Sequence, residues 1–253
     1  MNRITDTVKH LLILNVIFFA GTLALGKGTF FYEWFSMYFP KNPMFKPWQI
    51  VSHMFMHGGF MHIGFNMLAL WMFGTPVEQR IDNKKFLFLY FSAGLGALAL
   101  QVGFSYFNFY SSFSLLNEAG FSQSDIMDAL SSGYNMYDKR WENVLNPSQL
   151  ESFVSIYNTP MVGASGAIMG VLVAFGMMFP ESKLMLIFLP VPIKAKYFIP
   201  GIIILDLVSA LTGQSFFSPS NTAYMAHVGG ALTGFLIMWY WKKTQFNKNR
   251  WDL

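Results

Sequence analysis

Six stretches of the chain are apolar over a length that suits a helix crossing a bilayer. They lie at 8–26, 58–75, 86–104, 160–179, 196–212 and 223–241. A hydrocarbon core about 30 Å thick requires about 20 mainly apolar residues per helix. These stretches are continuously apolar, whereas membrane strands would alternate and would have to close into a barrel. The pattern predicts an all-α membrane protein in which residues 1–253 form one domain with six transmembrane helices.

Two connections between these stretches carry local signals. Residues 27–57, called the interface segment below, are rich in aromatic residues. Because amphipathic aromatics favour the headgroup region, we expect this segment to lie in the outer membrane interface, although an ordinary packed loop is an alternative. Between the fourth and fifth stretches, Pro190 and Pro192 argue against a continuous helix. We expect that connection to run along the cytoplasmic surface.

A third connection is long and acidic. Residues 105–159 hold six acidic and two basic residues, which predicts a soluble insertion on the extracytoplasmic side. Ser124 and Asn146 are candidate N-caps within it, and Pro147 suits the first turn of the helix after Asn146. No chemistry is evident in this insertion.

The composition agrees with a membrane protein. Hydrophobic residues make up 53% of the chain and charged residues 12%, against about 25% charged in an ordinary soluble domain. Twelve of the 17 basic residues fall on the side of the N-terminus, so the positive-inside rule places both termini in the cytoplasm. Since the net charge of +4 is distributed by membrane side and not clustered, it does not indicate nucleic acid. The absence of cysteine excludes disulfides, thiol catalysis and thiolate metal sites.

Four polar residues from three predicted spans fall at one depth in the membrane. Ser165, His227, His62 and Asn66 each follow the outer start of a span by a few residues, which places them roughly 6–12 Å below the outer boundary. An intramembrane polar or ionisable group is a functional candidate because it needs a partner or a wet cavity. Taken singly, a serine that packs helices and a locally satisfied histidine are the plainer interpretations.

Small residues follow both Ser165 and His227 at helical spacing. Gly166 and Gly170 follow the serine, and Gly230 and Gly234 follow the histidine. Such faces let membrane helices approach closely. These four glycines, called the glycine seam below, predict that the fourth and sixth spans pack together with Ser165 and His227 meeting at the top.

The second span carries a cluster of histidines. On one continuous helix, His53 and His57 would point nearly opposite to His62 and Asn66. The glycine pair before Phe60 predicts a break. We therefore place His53 and His57 in the interface segment and begin the helix near Phe60, with His62 and Asn66 on one face.

These groups fit peptide hydrolysis. Ser165 would attack, and His227 would take its proton and return it to the leaving amine. The Asn66 amide, His62 and the Ser165 backbone N–H would bind the oxyanion, and Gly163 would allow the sharp turn before the helix. No carboxylate is near His227 in the sequence, so the sequence predicts a Ser–His dyad oriented by packing alone.

The sequence motifs assign no role to Asp206 in the fifth span. A charge at that position suits either a proton pathway or a polar contact within the bundle.

As a set, these motifs resemble those of the rhomboid intramembrane serine proteases. The matching residues are Gly163-Ala164-Ser165-Gly166, Ala226-His227 with Gly230 and Gly234, His57 with His62 and Asn66, Trp48, and Glu78 with Arg80. The resemblance implies a six-helix bundle with Ser165 as nucleophile, His227 as base, and His62 and Asn66 as oxyanion stabilisers. It also implies cleavage of other proteins' transmembrane segments near their outer ends. From the compact form we expect the bacterial inner membrane.

Two positions depart from that family pattern. Gln49 follows Trp48 where family members commonly have Arg. The change puts in doubt an interaction by which that arginine would anchor the interface segment. Met169 lies four residues after Ser165, where an aromatic residue often packs on the catalytic imidazole. Because a flexible thioether can fill the place of an aromatic ring, we expect Met169 to alter the surroundings of the catalytic imidazole without abolishing activity.

Two other functional classes are weighed against the protease. His53 and His57 imitate a metal-ligand pair, but the flanking Glu of a His-Glu-x-x-His motif and acidic partners at that depth are missing. A catalytically silent rhomboid-like protein that binds membrane clients would have no need of both Ser165 and His227. The sequence therefore predicts a serine endopeptidase without metal or cofactor, whose partners are transmembrane substrates and the bilayer. Its oligomeric state is left open.

Overall fold

The computed structural model describes residues 3–25, 28–133, 135–186, 189–215 and 223–244. The chain is mostly helical, with one two-stranded sheet. The helices are α1 (Asp6–Ala24), α2 (Thr29–Phe35), α3 (Gln49–Ser52), α4 (Phe60–Ala69), α5 (Thr75–Ile81), α6 (Asn83–Glu118), α7 (Gln123–Ser131), α8 (Pro147–Asn158), α9 (Ser165–Met178), α10 (Ala195–Thr212) and α11 (Tyr224–Thr244), and the strands are β1 (Lys183–Leu186) and β2 (Leu189–Lys194). Residues 1–2 and 245–253 at the two termini, which include Lys248 and Arg250 of the predicted cytoplasmic side, lie outside the described residues.

Helices occupy most of each of the six predicted stretches, but α9 begins at Ser165, five residues after the predicted start at 160. Three of them, α1, α6 and α10, are long and apolar enough to cross a membrane, and α9 is apolar but shorter. The second stretch begins at Phe60, as predicted from the glycine pair, and α4 continues through a π-helical turn at Leu70–Gly74 into α5. The length and apolar composition of these helices support an integral membrane protein.

The acidic insertion begins differently from the prediction. Helix α6 runs without a break to Glu118, so the expected boundary at 105 falls inside a helix. Asn146 caps α8 in a capping box with Pro147 in the first turn, as predicted. At α7 the predicted cap is wrong, because Ser122 and not Ser124 accepts the hydrogen bond from a first-turn N–H.

The insertion has a small aromatic core of its own. Phe109 on α6 packs on Phe153 of α8 with ring centroids 4.7 Å apart, and on Phe39 of the interface segment at 4.9 Å. Trp141 and Tyr157 are buried in the same cluster. The insertion therefore packs on the interface segment through contacts between aromatic rings.

The all-α prediction is wrong between α9 and α10. Strands β1 and β2 form an antiparallel hairpin in which Lys183 pairs with Lys194 and Leu184 with Ile193. Pro190 and Pro192 do exclude a helix there, but both lie in β2. Proline is tolerated in a two-stranded sheet because only one edge of each strand needs donors.

Helix α9 forms the centre of the molecule. Every residue from Gly166 to Phe175 is buried, as expected for a helix that is apolar on all sides. It packs against α6 and α11. A helix of this kind fixes the position of whatever side chain stands at its first residue, which here is Ser165.

The predicted glycine seam is present. A Cβ on Gly230 would overlap the Gly166 carbonyl, and a Cβ on Gly234 would lie 2.6 Å from the Gly170 Cα. The backbones of α9 and α11 are therefore in direct contact along these four positions, which brings the starts of the two helices together.

We expect Gly230→Ala to destabilise the protein by at least about 1–3 kcal/mol, because the new methyl group forces two backbones apart. Thermal unfolding in detergent measures this. Gly103→Ala on α6 is the matched control, since a Cβ there meets nothing within 4 Å. Equal unfolding midpoints for the two variants would contradict the close packing.

Candidate active site

Ser165 is the first residue of α9, and the chain before it is held by the interface segment. Met161 exchanges two backbone hydrogen bonds with Met37, with N–O distances of 2.8 and 2.9 Å. The Gly163 N–H donates to the His53 carbonyl at 3.0 Å. Gly163 has a φ of +126°, a backbone conformation that glycine adopts without penalty. These contacts set the angle at which Ser165 enters the helix.

His227 lies in the first turn of α11 and faces Ser165. Its Nε2 is 2.9 Å from the Ser165 Oγ. The side chain of His227 is only 12% exposed. The structure thus brings the predicted nucleophile and base to hydrogen-bonding distance at the top of the glycine seam.

A carboxylate also contacts this imidazole, so the prediction that packing alone orients His227 is wrong. The Oδ2 of Asp206 on α10 lies 2.8 Å from the His227 Nδ1. Sequence proximity missed it, because Asp206 stands 21 residues upstream on a different helix. The sequence did hold a sign of this contact. A carboxylate such as Asp206 in an apolar span costs free energy unless it has a polar partner. Of the two roles considered for Asp206, the structure shows the polar contact within the bundle.

His62 on α4 lies beside the turn that precedes Ser165. A Cβ on Gly163 would stand 2.8 Å from the His62 Nε2 and 3.7 Å from the Ser165 Oγ. The His62 Nδ1 accepts a hydrogen bond from the Gly58 N–H at 3.2 Å. A neutral imidazole that accepts at Nδ1 carries its proton on Nε2. His62 therefore presents an N–H donor next to Gly163, near the serine.

Asn66 follows His62 by one helical turn. Its side chain is buried, with the residue 7% exposed, and its Nδ2 has no hydrogen-bond partner among the described residues. An unsatisfied buried donor costs roughly 1–3 kcal/mol. Such a donor is what an oxyanion site requires before substrate arrives.

His53 and His57 lie in the interface segment, as predicted, and both are buried. The His53 ring contacts the Gln49 carbonyl through Nδ1 at 2.8 Å, while its own carbonyl holds Gly163. The His57 ring packs edge-on against the His62 ring at 5.0 Å. Burial lowers the pKa of each of these two rings to about 4, so both are neutral at neutral pH. Their contacts place His57 against the His62 ring and the His53 carbonyl against the Gly163 N–H.

Gln49 anchors the interface segment in place of the arginine common in the family. Its buried amide makes four hydrogen bonds: Oε1 accepts from the N–H groups of Tyr38 and Lys46, and Nε2 donates to the carbonyls of Glu33 and Met44, all at 3.1–3.3 Å. An amide suits this position because it both donates and accepts, whereas a guanidinium only donates. Gln49 therefore anchors the interface segment through hydrogen bonds that an arginine at this position could make only in part.

Trp48 and Met169 occupy the two remaining predicted positions. Trp48 stacks on Trp34 with centroids 5.8 Å apart and donates from Nε1 to the Trp34 carbonyl at 2.8 Å. Met169 is buried in the central core, one turn after Ser165. That its thioether takes over the packing role of an aromatic on the imidazole stays a prediction.

Comparison with known proteins identifies the family of this chain. A family model described as the Rhomboid domain matches residues 44–124 and 143–244. The chain belongs to the rhomboid family. Rhomboid proteins are generally intramembrane serine proteases. The two matched ranges contain every site residue described above, and the gap between them, 125–142, lies within the acidic insertion.

Several curated rhomboid proteins are similar to this chain. Rhomboid protein 1, mitochondrial, of Saccharomyces cerevisiae is 28% identical over 77% of this chain and 42% of its own length. Presenilin-associated rhomboid-like protein, mitochondrial, of Rattus norvegicus is 28% identical over 80% of this chain and 40% of its own length. Rhomboid protease GluP of Bacillus subtilis is 40% identical over a 53-residue segment, 21% of this chain and 10% of its own length. The chain thus spans about two fifths of the mitochondrial relatives.

We expect Gln49→Arg to destabilise the rhomboid domain even though arginine is the residue common in the family. The guanidinium leaves the Tyr38 and Lys46 N–H groups without an acceptor, at a cost of about 1–3 kcal/mol for each one that stays buried. Thermal unfolding in detergent measures the loss, with Val51→Ala as control because Val51 is exposed on the same segment. An unchanged or higher midpoint for Gln49→Arg would refute this role of the amide.

Proposed function

We propose that this rhomboid protein is an intramembrane serine endopeptidase that cleaves transmembrane segments near their extracytoplasmic ends. The observation that carries the proposal is the 2.9 Å contact between the Ser165 Oγ and the His227 Nε2. A hydroxyl and an imidazole at this distance, at the head of two apolar helices, form the nucleophile and base pair of acyl transfer.

The reaction proceeds in two halves. His227 accepts the Ser165 proton at Nε2 while Oγ attacks the carbonyl carbon of the scissile peptide bond. The imidazolium then donates that proton to the leaving amine nitrogen, and the acyl group stays on Oγ. In the second half, water gives a proton to the same nitrogen while its oxygen attacks the acyl carbon. The bond between that carbon and Oγ then breaks, the imidazolium returns the proton to Oγ, and the new carboxyl end leaves with Ser165 restored.

Three donors would hold the oxyanion that forms in both halves. These are the His62 Nε2–H, the Asn66 amide and the Ser165 backbone N–H. The last belongs to the first turn of α9, where N–H groups lack intrahelical partners and the helix dipole favours negative charge. Two observations support this set: the tautomer that the Gly58 N–H favours at His62, and the Nδ2 of Asn66, which has no hydrogen-bond partner among the described residues.

The proposed topology has six spans with both termini in the cytoplasm. On that topology Ser165 and His227 open toward the outer side, below the interface segment and the acidic insertion. A substrate helix would reach them from the bilayer and would have to unwind locally to expose its peptide bond. The bacterial plasma membrane stays a prediction of the sequence.

We expect a fluorophosphonate probe to label the purified protein at Ser165, because the neighbouring imidazole activates that hydroxyl. Ser165→Ala should abolish both labelling and cleavage of a transmembrane peptide while leaving the unfolding midpoint unchanged. The matched control is Ser114→Ala, an exposed serine on α6 whose hydroxyl donates a hydrogen bond to Glu118 one turn later on the same helix.

Two outcomes would contradict the proposal. Turnover by Ser165→Ala at the wild-type rate would remove the serine from the mechanism. Wild-type protein that neither labels nor cleaves would favour the catalytically silent, client-binding interpretation.

A further inference from the structure

We propose that Asp206 is the positioning residue of a Ser165–His227–Asp206 triad, holding the imidazole in its Nδ1–H tautomer and stabilising the imidazolium formed during catalysis. This inference rests on the proposed serine protease function. It assigns to α10 a part in the chemistry that the resemblance to the family did not supply.

An ionised Asp206 places the proton of the neutral His227 ring on Nδ1. The Asp206 Oδ2 stands 2.8 Å from Nδ1, the distance of a charge-assisted hydrogen bond. An ionised carboxylate only accepts, so Nδ1 donates to it and Nε2 keeps its lone pair. That lone pair faces the Ser165 Oγ at 2.9 Å. In the other tautomer Nε2 would carry a proton and would be unable to accept the one on the serine.

The surroundings make this contact strong. The side chains of His227 and Asp206 are 12% and 2% exposed. An imidazolium formed in such a place is poorly solvated, and charge–charge attraction grows as the effective dielectric falls. The carboxylate therefore stabilises the positive charge on His227 when Ser165 has given up its proton, which is when the transition state needs it.

The position of Asp206 on α10 is the inward one. The buried residues of that helix are Ala195, Ile199, Asp206 and Ser209, which recur at helical spacing and form one face. Its neighbours Leu205 and Leu207 are each 38% exposed on the outer faces. The helix thus turns its single carboxylate toward α11, while the side chains of Leu205 and Leu207 on either side of it are exposed.

Glu78 is a second buried carboxylate, and its contacts are those of a residue that stabilises the fold. Glu78 on α5 accepts hydrogen bonds from the Thr5 hydroxyl at 2.6 Å and from the N–H groups of Thr7 and Val8 at 3.1 and 2.9 Å. It holds the first turn of α1, far along the chain from Ser165 and His227. Glu78→Gln is therefore the matched control for Asp206→Asn: both replace a buried carboxylate by its amide.

The test compares wild type, Asp206→Asn and Glu78→Gln in detergent. A fluorogenic transmembrane peptide gives kcat and KM, a fluorophosphonate gives the labelling rate of Ser165, and thermal unfolding gives stability. We expect Asp206→Asn to lower kcat and the labelling rate by about 10²–10⁴-fold, with KM and the unfolding midpoint little changed. Glu78→Gln should lower the midpoint and leave the kcat of the folded protein near wild type.

Nitrogen NMR of ¹⁵N-histidine-labelled protein supplies a readout that a merely structural role would not move. The resonances of His227 are identified by their loss in His227→Gln. We expect the Nδ1–H tautomer in wild type and a rise in the Nε2–H tautomer in Asp206→Asn, because the new amide can donate to Nδ1. The wild-type spectrum alone tests the proposal even where the variant folds poorly.

The outcomes separate this inference from the proposed function. A wild type that cleaves, together with an Asp206→Asn variant of equal kcat, overturns the triad and leaves the serine protease standing. A wild-type His227 held mainly as the Nε2–H tautomer also overturns it. A wild type that neither labels nor cleaves overturns the protease proposal itself.

Discussion

The direct contact between the backbones of α9 and α11 is the constraint on which the site depends. Gly166, Gly170, Gly230 and Gly234 leave no room for a Cβ, so the two helices meet without side chains between them. Ser165 and His227 each stand at the head of one of these helices, and their separation follows from that contact. A wider spacing of ordinary helices, about 8–10 Å between axes, would separate the hydroxyl and the imidazole unless the side chains reached further.

Polar groups in an apolar environment need hydrogen-bond partners, and the structure supplies them in both the active site and the interface segment. Asp206 contacts His227, which contacts Ser165. In the interface segment, Gln49 satisfies four backbone groups and the His53 carbonyl holds the turn at Gly163. The Asn66 amide is left with a donor unused by the described residues. The same rule that stabilises the fold therefore points to where a substrate oxyanion would bind.

The sequence predicted the parts that depend on local periodicity. Continuous apolar runs located the helices, the glycine spacing located the seam, and the glycine pair before Phe60 located a helix start. It could not supply contacts between distant elements. The pairing of Asp206 with His227 joins two helices, and the extension of α6 to Glu118 depends on aromatic packing with α8. The four bonds of Gln49 go to loop backbone whose path has no sequence pattern, and the β1–β2 hairpin was hidden because prolines argue only against a helix.

A crystal structure of the protein after reaction with a small fluorophosphonate tests whether Ser165 is the nucleophile of this site. We expect phosphorus bonded to the Ser165 Oγ, with the phosphoryl oxygen within hydrogen-bond distance of the His62 Nε2 and the Asn66 Nδ2. Phosphorus on another side chain, or an unreacted Ser165 separated from His227 by acyl chains, would contradict this role of Ser165.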